Sequence, residues 1–402
     1  MSKNIKCVIG ANFGDEGKGL MTDYFTENPG LSIVVLHNGG AQRGHTVTTK
    51  DGKHHVFHHL GSGTFTGAPT FIADTFVVNP ILFNQEYAEL KRKYPDCHIE
   101  VYMDRNCVMT TLYDMLVNQV IEIDRGSAKH GSCGAGIYET LYRNQFGVNF
   151  KNKISIQPYK LTVGEFYDMN YLQRLDFLNA IKSYYTEKRF NELRLNKDHE
   201  LIHKVLNSDI AIMNFLADFE FMINHITFCD FDYIYKHADN LIFENGQGLL
   251  LDQHNMDYYP HLTPSNTGMR NPAILLASVG CHEEVEACYV SRSYMTRHGV
   301  GRFDTECPKG EINRSIIDTT NVPNPFQDSL RYGKLDSADL FKRCYYDAFD
   351  SSADLNIKVT IAMTHVNEYN DYIMPKATTY ISSSKTRDGV RKIFNSYPLI
   401  LF

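Results

Sequence analysis

The chain has no tryptophan, so the core of its 402 residues must be built from 24 phenylalanines, 25 tyrosines and aliphatic side chains. It has no basic surplus: 40 Lys and Arg stand against 47 Asp and Glu, for a net charge of −7. A dedicated nucleic-acid binder usually shows the opposite balance, so direct nucleic-acid binding is not expected. No CxxC pair occurs, and the cysteines are odd in number: Cys7, Cys97, Cys107, Cys133, Cys229, Cys281, Cys288, Cys307 and Cys344. Neither a disulfide framework nor a zinc ribbon is expected from such spacing. The most apolar helical stretch, Ile210 to Ile223, contains Asp218 and Glu220, so no membrane span is expected. The opening MSKNIKCVIG has no leader-type apolar region. A reducing, cytoplasmic setting follows as the expectation, in a host's cytoplasm if the source is viral. No repeat, low-complexity tract or Pro/Ser-rich linker divides the sequence, and its 43% hydrophobic and 22% charged content excludes a disordered or fibrous class.

What is present is an alternation of strand and helix signals. Ile5 to Ile9 reads as a short buried strand, then a Gly-rich turn from Gly10 to Gly19, then a helix from about Leu20. Ser32 to Leu36 is a second buried strand, followed by the loop Asn38 to Gly44. Thr70–Val78, His98–Met103, Asn240–Phe243, Ala287–Val290, Lys358–Met363 and Thr378–Ile381 read as further strands. Apolar spacing near 3.6 residues between Val163 and Phe231 predicts a helical insertion, roughly residues 160–235. The expectation is one large α/β domain over 1–402, with a central, mostly parallel sheet and a P-loop-like glycine loop.

The two glycine loops carry the chemistry. The first, Gly10 to Gly19, sets Asp15, Glu16 and Lys18 among glycines between a strand and a helix. Backbone N–H groups and a helix N-terminus there suit an anion. It is neither GxGxxG nor a Walker A loop, because Gly19 follows Lys18 where that motif has Ser or Thr. The second loop, Asn38 to Thr46, carries His45, a candidate general acid or hydrogen-bond donor. The cluster His54, His55, His58 and His59 lacks a carboxylate or Cys at metal-ligand spacing and reads as surface or core histidine.

These segments resemble the adenylosuccinate synthetase family. GDEGKG at Gly14–Gly19, GHT at Gly44–Thr46, HHLGSGTF at His58–Phe65, GSCGAGIYE at Gly131–Glu139, FENGQGLLLD at Phe243–Asp252, YPHLTPSNT at Tyr259–Thr267, RHGVGRFDTE at Arg297–Glu306 and RYGKLD at Arg331–Asp336 match in the same order. The resemblance implies a ligase joining L-aspartate to C6 of a 6-oxopurine nucleotide, with a nucleoside triphosphate and Mg²⁺. The 6-oxygen is first phosphorylated, and the aspartate amine then displaces phosphate. It implies Asp15 as base at N1 and as Mg²⁺ ligand with the Gly44 carbonyl, and His45 as donor to the triphosphate. Gly14, Glu16, Gly17, Lys18 and Gly19 become phosphate contacts. Gln42, Ser132, Cys133, Gln247 and Thr263 become purine-nucleotide contacts, with Gln42 standing where the family usually has Asn and Cys133 where it has Thr. Arg143 is the matching candidate for an arginine reaching into a homodimer partner's site; its other reading is a solvated helix arginine. Lys18, Arg43 and Arg331 are the expected positive charges for phosphate.

Three departures qualify the resemblance. The family's Thr-Lys-x-Asp for guanine is Thr364-His365-Val366-Asn367 here. An asparagine accepts and donates, so ATP or dATP competes with GTP as donor. The arginine-rich aspartate loop is reduced to Phe326 through Arg331, leaving Arg331, with Arg297, Arg302 or Lys334 as compensating candidates. The last base loop reads Ser382 to Arg387, with Ser383 beside His365 and Asn367 as donor-base candidates. These departures resemble the phage branch of the family, which acts on dGMP. Retained Asp15 points back to a hypoxanthine substrate, because that branch typically has a smaller residue there. IMP therefore stands ahead of dGMP, and a nucleotide-binding pseudoenzyme or a P-loop-type NTPase switch are the competing classes.

Overall fold

A computed structural model of the chain describes residues 3–28, 30–126, 134–146, 161–195, 199–317, 330–352, 355–393 and 399–401. Its centre is an 11-stranded sheet. The order runs Val390–Lys392, Thr378–Ser382, Asn356–Thr364, Glu284–Arg292, Asn4–Gly10, Asn240–Glu244, Ser32–Leu36, Thr70–Ile72, Val101–Met103 and Thr227–Phe228. Every neighbouring pair is parallel except Val390–Lys392 on Thr378–Ser382; the eleventh strand, Leu399–Leu401, also pairs antiparallel, with Asn356–Thr364.

Side-chain alternation along the first strand shows how the layers form. Ile5, Cys7 and Ile9 face one apolar cluster that includes Leu276, Leu340 and Cys344. Val8 points the other way, against Leu20, Met21 and Phe25 of the helix Lys18–Phe25. The second strand, Ser32–Leu36, is buried throughout, as a strand covered on both faces requires. A larger cluster joins Val34 and Leu36 to Phe166, Phe177, Phe215 and Phe219 of the helical region. No helix among the described residues is long and apolar enough to cross a membrane.

Two expectations change. Thr70–Val78 is two strands, Thr70–Ile72 and Val77–Val78, because the chain turns at Ala73–Phe76, where the Phe76 N–H donates to the Ala73 carbonyl. The helical stretch holds helices from Val163–Asp168 to Asp209–Ile223 but also Thr227–Phe228, which pairs with Val101–Met103 at the sheet edge. The parallel order brings the carboxyl ends of five adjacent strands together at Gly10, Leu36, Glu244, Arg292 and Thr364. Open α/β sheets bind ligands at that edge.

Candidate active site

The first glycine loop leaves the strand end at Gly10. A Cβ at Gly10 would lie 2.5 Å from both the Gln247 carbonyl and Glu16 Oε2, so only glycine fits. Gly14, Asp15 and Gly17 all have positive φ, at 103°, 57° and 93°. Asp is among the few non-glycine residues that tolerate this region. The turn is braced from below. Asn12 N–H donates to Glu16 Oε1 at 2.6 Å, and Asn12 Nδ2 donates to Ser291 at 3.0 Å. Arg343, on the helix Ser337–Asp350, donates to the Ala11 carbonyl at 2.9 Å and to Asn12 Oδ1 at 2.7 Å. Arg292 donates from Nε to the Asp15 carbonyl at 2.5 Å.

Glu16 and Lys18 are both buried. Burial lifts the Glu16 carboxyl to about 7, against the pull of Lys18 and the Asn12 N–H. Burial likewise lowers the Lys18 amine, while Glu16 and Asp15 oppose it. Glu16 Oε2 has no hydrogen-bond partner. An internal cation beside an unsatisfied internal acid is costly unless the site is built to receive a ligand. The Asp15 carboxylate is partly exposed and lies 3.3 Å from His298 Nε2.

The second loop meets the first at Gly19, whose Cβ position is 3.3 Å from His45 Cβ and 2.7 Å from the Thr46 carbonyl. His45 Nδ1 lies 2.8 Å from Glu244 Oε1 and 2.8 Å from Arg43 Nη2. Arg43 Nη2 lies 2.5 Å from Glu244 Oε2, with both side chains fully buried. Ser62 adds its hydroxyl to Oε1 and its N–H to Oε2, the latter at 3.1 Å. Burial alone raises the Glu244 acid, but Arg43, then His45 and Ser62, reverse this and hold it well below the usual carboxylate range. Burial and then Arg43 lower His45 to about 3, with Glu244 pulling the other way. A polyphosphate at its other nitrogen would add negative charge and favour the protonated ring. Glu244 thus orients His45, and Arg43 is engaged internally instead of supplying charge to phosphate. The sequence signal for Glu244 is an acid directly after the apolar run Leu241–Phe243 of the strand Asn240–Glu244.

Gln42 and Gln247 approach the same point: a Cβ at Gly39 would lie 3.0 Å from Gln42 Nε2 and 3.1 Å from Gln247 Oε1. Both side-chain carbonyl oxygens are buried without a partner, as acceptors waiting for a donor would be. Thr263 N–H donates to the Leu251 carbonyl at 2.9 Å, and the residue is half-buried. Ser132 and Cys133 lie outside the described residues. Arg143 is not a solvated helix arginine. It is buried, donating to Asp114 Oδ1 at 2.8 Å, to Asp114 Oδ2 at 2.9 Å and to the Met109 carbonyl at 2.9 Å, while its Nη1 has no partner. Asp114 is the third residue of a helix capped by Thr111, so this ion pair locks helix Ile137–Phe146 to helix Leu112–Arg125.

The arginines divide similarly. Arg297 and Arg331 are register partners across two antiparallel strands, Met295–Arg297 and Arg331–Gly333. Arg297 is buried over Phe13 of the first glycine loop, 4.5 Å from the ring centre, with Nε unpartnered. Burial and then Arg331 lower it to about 10. Two facing guanidinium groups beside the loop are what a carboxylate clamp needs. Arg331 is already held by Glu306, at 2.8 Å from Nε. Arg302 is exposed and pairs with Asp304 at 2.6 Å, so it does not join the pair. On the far side, Thr364 donates to the Glu16 carbonyl at 2.8 Å. His365 follows with φ 54°, and Asn367 and Ser383 are exposed. Val366 N–H donates to the Ser382 carbonyl at 3.3 Å, which sets these two loops side by side.

Of the two oxygens expected to hold a cation, the Asp15 carboxylate is partly exposed and Gly44 is exposed. No group of three or more potential ligand side chains occurs among the described residues. Two hard oxygens suit Mg²⁺, which keeps several waters and takes its remaining ligands from substrate phosphates. The histidine cluster has a different use. The carboxylate its spacing did not reveal is Glu86, which accepts from the N–H groups of His58 at 2.8 Å and His59 at 2.6 Å. His58 then donates to the Arg43 carbonyl, which bolts the second loop to the helix Pro80–Lys93.

The family model for adenylosuccinate synthetase matches residues 7–353. Adenylosuccinate synthetases of Photobacterium profundum, Thermoplasma acidophilum and Prochlorococcus marinus are 27%, 26% and 30% identical over 310, 316 and 321 residues. The matches cover 76%, 77% and 77% of this chain. The chain spans about 65% of the length of the curated relatives it matches. Among solved structures, the succinoaminodeoxyadenylate synthetase of cyanophage S-2L, bound to dGMP and to dATP as energy donor, superposes with a TM-score of 0.61 at 15% identity. That match covers 98% of this chain and 96% of the other. The fully ligated adenylosuccinate synthetase of Plasmodium falciparum gives 0.63 at 18% identity, covering 99% and 87%. Both likenesses establish the fold.

Proposed function

The chain belongs to the adenylosuccinate synthetase family, and we propose that it is a C–N ligase of purine nucleotide synthesis that converts IMP and L-aspartate to adenylosuccinate. The observation that carries this reading is the meeting of two glycine loops at one sheet edge, with Asp15 and buried Lys18 on one and the Glu244-oriented His45 on the other. Asp15 takes the N1 proton, which turns the 6-oxygen into a nucleophile toward the γ-phosphorus of the donor. The diphosphate leaves as His45 donates to oxygens on which charge develops. The aspartate amine then adds at C6, and phosphate departs with the 6-oxygen. Asp15 and the Gly44 carbonyl would hold Mg²⁺, which would supply neutralisation of phosphate charge. Gln42, Gln247 and Thr263 hold the purine nucleotide, and Arg297 with Arg331 holds the amino acid's carboxylates. The protein acts as a cytoplasmic homodimer on small molecules, without binding nucleic acid directly.

A second reading, dGMP as acceptor with ATP or dATP as donor, is favoured by one feature. The donor-base residues His365, Asn367 and Ser383 lie beyond the family match, which ends at residue 353. Exposed Asn367 both donates and accepts, as adenine needs. The retained Asp15 keeps IMP ahead.

The test is a crossed incubation with Mg²⁺, aspartate, each of GTP, ATP and dATP, and each of IMP, dIMP, GMP and dGMP, read by mass for a succinylated nucleotide. Product from IMP is expected. Product from dGMP and not IMP reverses the order. No product in any combination leaves a nucleotide-binding pseudoenzyme and refutes the ligase.

A further inference from the structure

One basic side chain ties the donor-base loop to the helix that follows the phosphate loop, and nothing in the reaction above uses it. Arg387 stands in the loop between Thr378–Ser382 and Val390–Lys392, a few residues after Ser383. Its Nη1 lies 3.1 Å from Asp23 Oδ1, and its Nε lies 2.9 Å from Glu27 Oε1. Asp23 belongs to the eight-residue helix Lys18–Phe25, which begins at the phosphate loop, and Glu27 follows just beyond it. The Asp23 side chain is 1% exposed, and its Oδ2 has no hydrogen-bond partner. An acid so placed is retained against a desolvation cost, and the guanidinium is its counter-charge.

The loop itself is cross-linked by its own hydrogen bonds. Ser382 Oγ donates to the Ser384 carbonyl at 2.9 Å, and Ser384 Oγ accepts from the Thr386 N–H at 3.1 Å. A Cβ at Gly389 would lie 2.2 Å from Ser384 Cβ, so the two ends of the loop are in contact. One side is tied to the 365–367 turn through Val366 and Ser382. The other side has the Arg387 bridge to the helix.

We propose that Arg387 is a positioning residue for the donor nucleotide, fixing the distance between the residues that meet its base and those that meet its phosphates. The inference rests on the donor site proposed above. A ligand touching only one end gains nothing from the bridge, whereas a nucleoside triphosphate touching both is pre-organised by it.

The experiment is calorimetric titration of the 402-residue protein with Mg²⁺ and four probes: the β,γ-imido analogues of ATP and GTP, inorganic tripolyphosphate, and IMP. For Arg387→Ala, the imido-nucleotide is expected to bind about ten-fold more weakly, the loss of one charge-assisted contact's worth of ordering. Tripolyphosphate and IMP are expected to be unchanged, and Arg387→Lys to recover part of the loss. Asp23→Asn should reproduce the pattern, and exposed Glu27→Gln should show a smaller loss of the same kind without risk to folding. Equal weakening of tripolyphosphate, or no weakening of the imido-nucleotide, overturns the proposal. These titrations need no turnover, so a wild-type protein that binds the analogues but forms no product refutes the ligase and leaves the role of Arg387 standing.

Discussion

Consider Glu244→Gln. The substitution keeps the shape of a fully buried side chain and removes its charge. In the native site the carboxylate faces Arg43 at 2.5 Å, His45 at 2.8 Å and the Ser62 N–H at 3.1 Å. A glutamine has one acceptor oxygen and one amide nitrogen. The oxygen is best spent on Arg43 and the Ser62 N–H, which turns the amide toward His45 and Ser62 Oγ. The remaining error is electrostatic: the Arg43 guanidinium stays buried with no anion. Breaking a buried pair in this way typically costs about 3–5 kcal/mol. Urea unfolding of the ligand-free protein near neutral pH should show that loss. Adding Arg43→Met to Glu244→Gln should restore much of it, because the stranded charge goes too. Turnover should fall by about 10²–10⁴ in the single variant, since no counter-charge remains for the imidazolium that donates to the triphosphate. A Gln variant within about 1 kcal/mol of wild type would refute the reasoning. So would a double variant no more stable than the single one.

Two further predictions concern groups the site depends on less directly. Arg143→Ala should destabilise the protein by about 3–5 kcal/mol in urea, because it strands the buried Asp114 carboxylate; unchanged stability, with activity restored on mixing with an Asp15→Ala protomer, would return Arg143 to a partner's site. Glu16 holds its proton more tightly folded, at about 7, than its ordinary 4.5. Its contribution to stability is therefore full below 4.5 and lost as the pH rises through 7, and Glu16→Gln should flatten that part of a stability-versus-pH curve.

Most of the central sheet and both glycine loops were legible in the sequence, since each rests on a short local pattern. Ile33–Leu36 is a continuous apolar run, and the loops concentrate glycine where strands end. What escaped was set by partners distant in sequence. Arg143 looks like any helix arginine until Asp114, 29 residues away, is beside it. The histidine cluster shows no carboxylate in sequence because Glu86 arrives from a separate helix, where it accepts from the main-chain N–H groups of His58 and His59 and lies within 4 Å of the His55 and His59 rings. Thr227–Phe228 is too short to show a two-residue period inside a helical stretch.

The arginines show why counting charges along a chain misjudges an anion site. Lys18, Arg43, Arg297 and Arg331 all seemed available, yet Arg43 belongs to Glu244 and Arg331 is held by Glu306. That leaves buried Lys18, on the proposed phosphate side, and buried Arg297, on the proposed amino-acid side, as the cations with most to gain from an incoming anion. Burial lowers both, and neighbouring Arg331 lowers Arg297 further. A dicarboxylate bridging Arg297 and Arg331 would relieve their repulsion, and a monocarboxylate of similar shape would relieve less of it. On the proposed function, a chain of net charge −7 would select polyanions through two desolvated cations and the backbone N–H groups of a glycine loop.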